Sequence, residues 1–149
     1  MKDYNTNNII NFSLVGHSAT GKTILSEAML FNAGLINRMG AIENGNTVSD
    51  YQHHEIKDQH SVSLSLMNLE WKDKKFNLLD NPGYLDFQGE AKSSLKVSDF
   101  AAVVVSAVNG IEVGTELMWE IANEYKIPKM LIFNLMDRDN SNYEKTLAK

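Results

Sequence analysis

Cysteine is absent from this sequence of 149 residues, and proline occurs only twice. Without cysteine the chain forms neither disulfides nor thiolate metal sites, which agrees with a reducing compartment. The longest apolar run, residues 100–105, is far shorter than the ~18 residues that a transmembrane helix needs. The first five residues are too polar for a secretory signal peptide. We therefore expect a cytoplasmic protein with no membrane partner.

Positive charge is also scarce, because 14 Lys and Arg residues stand against 19 Asp and Glu residues and give a net charge of −5. Affinity for nucleic acid comes largely from Lys and Arg contacts to phosphate, so we expect no direct grip on nucleic acid by this chain alone. Since 43% of the residues are hydrophobic and no repeat or linker is visible, residues 1–149 predict one globular domain.

One motif is highly specific: residues 16–23 match G-x-x-x-x-G-K-[ST] at every fixed position. In such a loop glycines let backbone N–H groups turn inward around phosphates, the lysine reaches the β- and γ-phosphates, and the hydroxyl binds Mg²⁺. Residues 8–15 predict a strand before the loop and residues 24–31 predict a helix after it, which is the confirming order. The candidate nucleotide-binding residues are Gly16, His17, Ser18, Ala19, Thr20, Gly21, Lys22 and Thr23, with Lys22 also a candidate catalytic residue and Thr23 a candidate Mg²⁺ ligand.

The next part of the chain predicts a long loop and a hairpin. The first helix should end near Gly34, where glycine provides a left-handed cap, and residues 34–60 have no clear period. Residues 61–66 alternate polar and apolar and predict a strand that continues towards Trp71, and residues 75–79 predict its antiparallel partner. Later patterns predict helices at residues 88–97 and 113–125, and strands at residues 101–105 and 130–133.

The second hairpin strand leads into the tetrapeptide Asp80-Asn81-Pro82-Gly83. Alone, D-x-P-G is an ordinary turn. After a phosphate loop it predicts that Asp80 holds Mg²⁺, usually through water, and that the Gly83 N–H contacts the γ-phosphate and moves away when this group leaves.

The last predicted strand leads into Asn134, Leu135, Met136 and Asp137, an N-x-x-D pattern. The Asp137 carboxylate can accept hydrogen bonds from the N1 and N2 donors of guanine, which adenine does not offer as a pair. Asn134 would tie this loop to the phosphate loop. The alternative is a polar loop that caps the next helix.

These motifs, in this order, resemble those of the translational GTPases, and the resemblance to elongation factor G covers nearly all of the chain. The further residues that match are Gly34, Ile36, Gly40, Gly45, Asp50, Tyr84, Leu85, Asp86, Phe87, Glu112, Val113, Glu116, Trp119, Tyr125, Pro128 and Arg138. The resemblance implies an α/β P-loop GTPase domain with a mixed, mostly parallel sheet and helices on both faces. It also implies GTP or GDP and Mg²⁺ as ligands, and the ribosome as partner of the full-length protein.

Members of this family are several times longer, so the resemblance implies an incomplete domain that stops before its last strand and helix. The Ser-Ala loop that normally completes the guanine pocket lies in that missing part. The strand at residues 130–133 would then be an exposed sheet edge, at which we expect the chain can associate with itself.

Four positions depart from the general family pattern: Ala19 replaces a carboxylate, Ser61 the threonine that closes over Mg²⁺ and the γ-phosphate, Tyr84 the histidine that orients the attacking water, and Leu135 a lysine. Tyr84 nevertheless resembles the elongation-factor-G-like subgroup, which has a G-Y-x-D-F signature. A monovalent-cation site near Ala19 is therefore not expected, whereas a serine can coordinate Mg²⁺ as a threonine does. A phenol is a poor base at neutral pH. The resemblance makes Tyr84, Lys22 and Gly83 the catalytic candidates, and Thr23, Ser61 and Asp80 the Mg²⁺ ligands.

The leading hypothesis is a GTPase that is slow without the ribosome. A nucleotide-responsive binding module with little turnover is the alternative, and an ATP-using P-loop enzyme is a weaker one. His53, His54 and His60 are interpreted as solvated loop residues rather than as a metal site.

Overall fold

The computed structural model describes residues 2–148, so the two terminal residues of the predicted domain lie outside the described part. Five strands form one sheet in the order β2-β3-β1-β4-β5: β1 Ile9–Val15, β2 Ser65–Trp71, β3 Lys74–Asp80, β4 Phe100–Ser106 and β5 Lys129–Asn134. β2 runs antiparallel to β3, and every other neighbouring pair is parallel. The helices are α1 Lys22–Asn32, α2 His53–Asp58, α3 Gln88–Leu95, α4 Val113–Glu124 and α5 Tyr143–Leu147.

Strand β4, which lies between β1 and β5, is buried on both faces, as its continuous apolar sequence predicts. Ala101, Val103 and Val105 pack with residues of α3 and α4, whereas Ala102 and Val104 pack with residues of α1. Successive strand residues point to opposite faces, so this division follows from the period of the strand. The predicted sheet with helices on both faces is confirmed.

This topology brings the three sequence motifs together at the carboxyl ends of the parallel strands. The carboxyl ends of parallel strands meet at the same edge, where ligands of α/β proteins bind. The phosphate loop follows β1, Asp80 ends β3, and Leu135 follows β5.

The strand predicted at residues 61–66 begins only at Ser65, so the prediction is wrong for its first four residues. The backbone N–H groups of residues 62–64 donate to the carboxylates of Glu55 and Glu90 over 2.8–3.0 Å. Their donors are therefore used by side chains and do not form a strand ladder.

The long loop also contains structure that its sequence does not predict. One such element is helix α2. In addition, the buried carboxylate of Glu27 in α1 accepts hydrogen bonds from the loop N–H groups of Gly40 at 2.7 Å and Val48 at 2.6 Å. α5 is likewise not predicted. Buried carboxylates thus hold a segment that has few apolar residues of its own.

β5 forms one edge of the sheet, with Met130 and Leu131 exposed by 46% and 42%. Self-association through this edge stays a prediction. Among the helices within residues 2–148, none is long and apolar enough to cross a membrane.

We expect Glu27→Gln to loosen the long loop. The substitution replaces one acceptor oxygen with an amide group that faces a backbone N–H, so the free energy of unfolding should fall by about 1–3 kcal/mol. Chemical denaturation measures that fall, and limited proteolysis should show faster cleavage within residues 34–60. The control Glu124→Gln changes an exposed glutamate of α4 and should leave both measurements as they are. Equal behaviour of the two variants would contradict the role assigned to Glu27.

Candidate nucleotide-binding site

The phosphate loop connects β1 to α1 and depends on two glycines with positive φ, Gly16 at 144° and Gly21 at 86°. A Cβ at Gly16 would overlap the carbonyl oxygen of Val104 in β4. A Cβ at Gly21 would overlap the side-chain amide of Asn134. Both glycines are therefore required by close approach as well as by backbone conformation.

Lys22 is buried at the start of α1, inside its own loop. Its Nζ donates hydrogen bonds to the carbonyl oxygens of Gly16 at 3.2 Å and His17 at 2.7 Å. Burial lowers the pKa of Lys22 to about 8, and the nearby Asp80 carboxylate opposes this change. The ammonium group is held where phosphate oxygens would be a stronger partner than backbone carbonyls.

Asp80, at the end of β3, belongs to a series of four oxygen-bearing side chains that contact one another. The Thr23 hydroxyl donates to Asp80 Oδ2 at 3.2 Å and lies 3.4 Å from the Ser61 hydroxyl, which donates to Asp50 Oδ1 at 2.6 Å. Burial raises the pKa of Asp80 to about 6, and the positive charge of Lys22 opposes this rise. The two motifs and the long loop therefore meet at Thr23.

The oxygens in this chain fit a Mg²⁺ ion. Within residues 2–148, Asp80 Oδ1 is buried and has no hydrogen-bond partner, although a buried polar atom usually has one. Mg²⁺ takes oxygen ligands, keeps several waters, and its charge would favour the ionised carboxylate. All three predicted ligands, Thr23, Ser61 and Asp80, lie together.

Gly83 closes the other side of the site. A Cβ at Gly83 would lie 2.7 Å from both Lys22 Nζ and the Ser18 nitrogen, so only glycine can approach the loop this closely. The cavity between these segments has a volume of about 170 Å³. Its lining residues are Ser18, Ala19, Gly21, Lys22, Thr23, Ile42, Asp50, Gln59, His60, Ser61, Asn81, Gly83 and Tyr84. Since sites for whole ligands usually exceed ~300 Å³, this cavity suits the phosphate end of a nucleotide.

The loop after β5 lies beside the phosphate loop, as the sequence predicts. Asn134 Nδ2 donates to the Thr20 carbonyl oxygen at 2.9 Å, and Leu135, with φ of 60°, places its side chain next to Gly21. Asp137 is exposed and does not line the cavity. Its predicted contact with guanine stays a prediction.

His17 points away from the cavity, although it belongs to the phosphate motif. Its Nδ1 accepts a hydrogen bond from the Gly114 N–H at 3.3 Å, and its Nε2 lies 3.6 Å from Glu112 Oε1. The side chain therefore connects the loop to the start of α4. A direct side-chain contact with nucleotide is not supported for His17.

Sequence reasoning assigned no site role to four polar residues that line the cavity: Asp50, Gln59, His60 and Asn81. Asn81 is buried and its Nδ2 donates to the Leu14 carbonyl at 3.1 Å, which fixes the turn after β3 against β1. The spacing of Asp50 within the family pattern was a usable signal. No local pattern distinguishes the other three from ordinary loop residues.

Comparison with known proteins agrees with this geometry. The family described as elongation factor Tu GTP binding domain matches residues 7–149. Elongation factor G 2 of Borreliella afzelii is 34% identical over 93% of the chain, and mitochondrial ribosome-releasing factor 2 of Drosophila grimshawi is 36% identical over 94%. A crystal structure from Thermus thermophilus superposes with a TM-score of 0.90, at 36% identity over 94% of the chain.

The chain spans about a fifth of the length of these relatives, 21%, 19% and 21% respectively. The similarity nevertheless extends over almost all of the chain and includes the phosphate loop, the D-x-P-G turn and the N-x-x-D loop. The chain belongs to the family of the elongation factor Tu GTP binding domain, and it is homologous to the corresponding part of elongation factor G.

Proposed function

We propose that residues 1–149 form the GTP-binding domain of a longer cytoplasmic translation factor, which hydrolyses GTP slowly alone and faster on the ribosome. The observation that carries this proposal is the convergence of Lys22, Thr23 and Gly83 around one cavity, with Asp80 hydrogen-bonded to Thr23. The names of the relatives, an elongation factor and a ribosome-releasing factor, support the ribosome as partner.

In this proposal, binding moves the Lys22 ammonium from the carbonyls of its own loop to the β- and γ-phosphate oxygens. Thr23, Ser61 and Asp80 hold Mg²⁺ directly or through water. When bound, Mg²⁺ neutralises negative charge on the same oxygens. The protein thus contributes positioning and electrostatic stabilisation, which are the main requirements of phosphoryl transfer.

The two mobile elements of the proposed switch are the long loop and the turn after β3. Ser61 ties the first to the Mg²⁺ site through Thr23 and Asp50, and Gly83 ties the second to the phosphate loop. Loss of the γ-phosphate removes the partner of the Gly83 N–H and one anchor of the Mg²⁺ ion that Ser61 would hold. Both segments are then free to rearrange, and a ribosome can distinguish the two states.

Choice of guanine rests on the loop after β5. Asn134 braces this loop, Leu135 packs on the purine face, and Asp137 accepts the two donors of the base. The exposure of Asp137 supports its availability to a ligand.

A binding module with little turnover is the second candidate, and it is favoured by one observation. The phenol of Tyr84, which stands where the general family pattern has a histidine, is 45% exposed and is a poor base. Measurements of turnover separate this candidate from the first.

Lys22→Ala should abolish GTP binding, because no other ammonium group lines the cavity among the described residues. We expect a loss of about 100-fold or more in affinity, measured by calorimetric titration with Mg²⁺ present. Lys74→Ala, which changes an exposed lysine of β3, is the matched control. Micromolar affinity retained by Lys22→Ala would contradict the assignment.

Asp137→Ala should lower the affinity for GDP and GTP about 10- to 100-fold and leave the affinity for ATP unchanged, because only guanine loses hydrogen bonds. The preference for GTP over ATP should therefore decrease. Competition of GTP and ATP for a fluorescent analogue measures this ratio. Asp139→Ala removes a neighbouring exposed carboxylate and should preserve the ratio. The ATP-using alternative predicts the same ratio for both variants and the wild type.

Single-turnover phosphate release should rise at least about tenfold when ribosomes are added to the full natural protein. A partner that orders the loops and the water adds transition-state stabilisation that the free domain lacks. Release should be measured with and without ribosomes at saturating GTP. Tight GTP binding with no release under either condition would favour the binding module.

A further inference from the structure

Hydrolysis requires a hydrogen-bond acceptor that holds a water molecule in line with the terminal phosphate. This inference rests on the proposed function and asks which side chain of the cavity supplies that acceptor. The acceptor must be near Lys22 and Gly83, and its orientation must be fixed, because a loosely held group positions water poorly.

The imidazole ring of His60 is held in a fixed orientation by a hydrogen bond at Nδ1. His60 Nδ1 lies 2.9 Å from the carbonyl oxygen of Asp58, and a carbonyl can only accept, so Nδ1 is the donor. In the neutral imidazole the proton is then on Nδ1, and Nε2 carries the free lone pair. The backbone N–H of His60 is also fixed, by a hydrogen bond to the Glu55 carbonyl at 3.3 Å.

Tyr84 holds the other side of the imidazole. The two ring centroids are 4.9 Å apart with an angle of 60° between the planes, an edge-to-face contact. Tyr84 directly follows Gly83, which contacts the phosphate loop. The contact therefore places the imidazole beside the segment that approaches the terminal phosphate, and both rings line the cavity.

The other polar groups of the cavity are less suitable acceptors. Asp50 accepts from Ser61 at 2.6 Å, and Asn81 Oδ1 accepts from Ser94 at 2.8 Å. Asp80 does not line the cavity and accepts from Thr23 at 3.2 Å next to the proposed Mg²⁺ site. Gln59 is exposed, whereas the His60 ring is held by the Asp58 carbonyl.

We propose that His60 Nε2 accepts a hydrogen bond from the attacking water and directs it at the γ-phosphate, and that Tyr84 is the positioning residue that holds the imidazole. The water oxygen bonds to the γ-phosphorus while the bond to the β,γ-bridging oxygen breaks, and that electron pair leaves on GDP. The water protons end on inorganic phosphate and solvent. His60 orients the water throughout and is unchanged at the end.

The first test compares substitutions at His60 in the full natural protein with ribosomes. His60→Phe keeps a ring against Tyr84 and removes the acceptor, so single-turnover hydrolysis should slow about 100-fold, while affinity for GDP and a non-hydrolysable GTP analogue changes less than about threefold. His60→Gln restores a neutral acceptor and should recover part of the rate. The matched control His54→Phe, an exposed histidine of α2, should hydrolyse at the wild-type rate.

The second test separates the two rings. Tyr84→Leu removes the contact that orients the imidazole, so kcat should fall about tenfold with KM nearly constant. Tyr84→Phe keeps the contact, so its kcat should fall less than the kcat of His60→Phe. A larger fall for Tyr84→Phe than for His60→Phe would assign the acceptor to the phenol and overturn the proposal.

Two further results also overturn it. A wild-type rate of hydrolysis in His60→Phe would reject the role of His60 and leave the GTPase assignment intact. The same conclusion would follow if His60→Phe hydrolysed GTP more slowly only because it bound the nucleotide more weakly. A wild-type protein that binds GTP without hydrolysing it would reject both this inference and the proposed function.

Discussion

The hydrogen bond between Thr23 and Asp80 joins the start of α1 to the end of β3, and the rest of the site depends on it. Around this bond the protein buries an ammonium group and a carboxylate that burial drives towards their neutral forms. Such a pair is weak support for stability, because the cost of desolvation offsets the attraction between the charges. The arrangement is understood best as a site prepared for a ligand that carries charge of its own.

The sheet and the loops are stabilised in different ways. β4 is enclosed by two apolar layers, whereas residues 34–64 are held by carboxylates of Glu27, Glu55 and Glu90 that accept backbone hydrogen bonds. Few buried apolar contacts mean that a segment can rearrange without unfolding the core. A sheet held by apolar packing therefore carries loops held mainly by polar contacts, an arrangement that would suit the proposed switch.

The main strands and helices were predictable from hydrophobic period, and the sheet with helices on both faces was predictable from the family resemblance. The start of β2 was not, since residues 62–64 donate to carboxylates that are distant in sequence. The role of His17 was missed for a similar reason, because its partner Gly114 belongs to α4. Local pattern gives the positions of elements, and contacts between distant residues decide which loop side chains face the cavity.

The approach of Gly16 to Val104 places the backbone of the phosphate loop directly on the backbone of β4, without a side chain between them. Side chains can absorb a small shift by changing rotamer, but two touching main chains cannot. A displacement of β4 is therefore passed directly to the backbone of the phosphate loop. A substitution that leaves a cavity beside β4 would therefore weaken nucleotide affinity even in a molecule that remains folded.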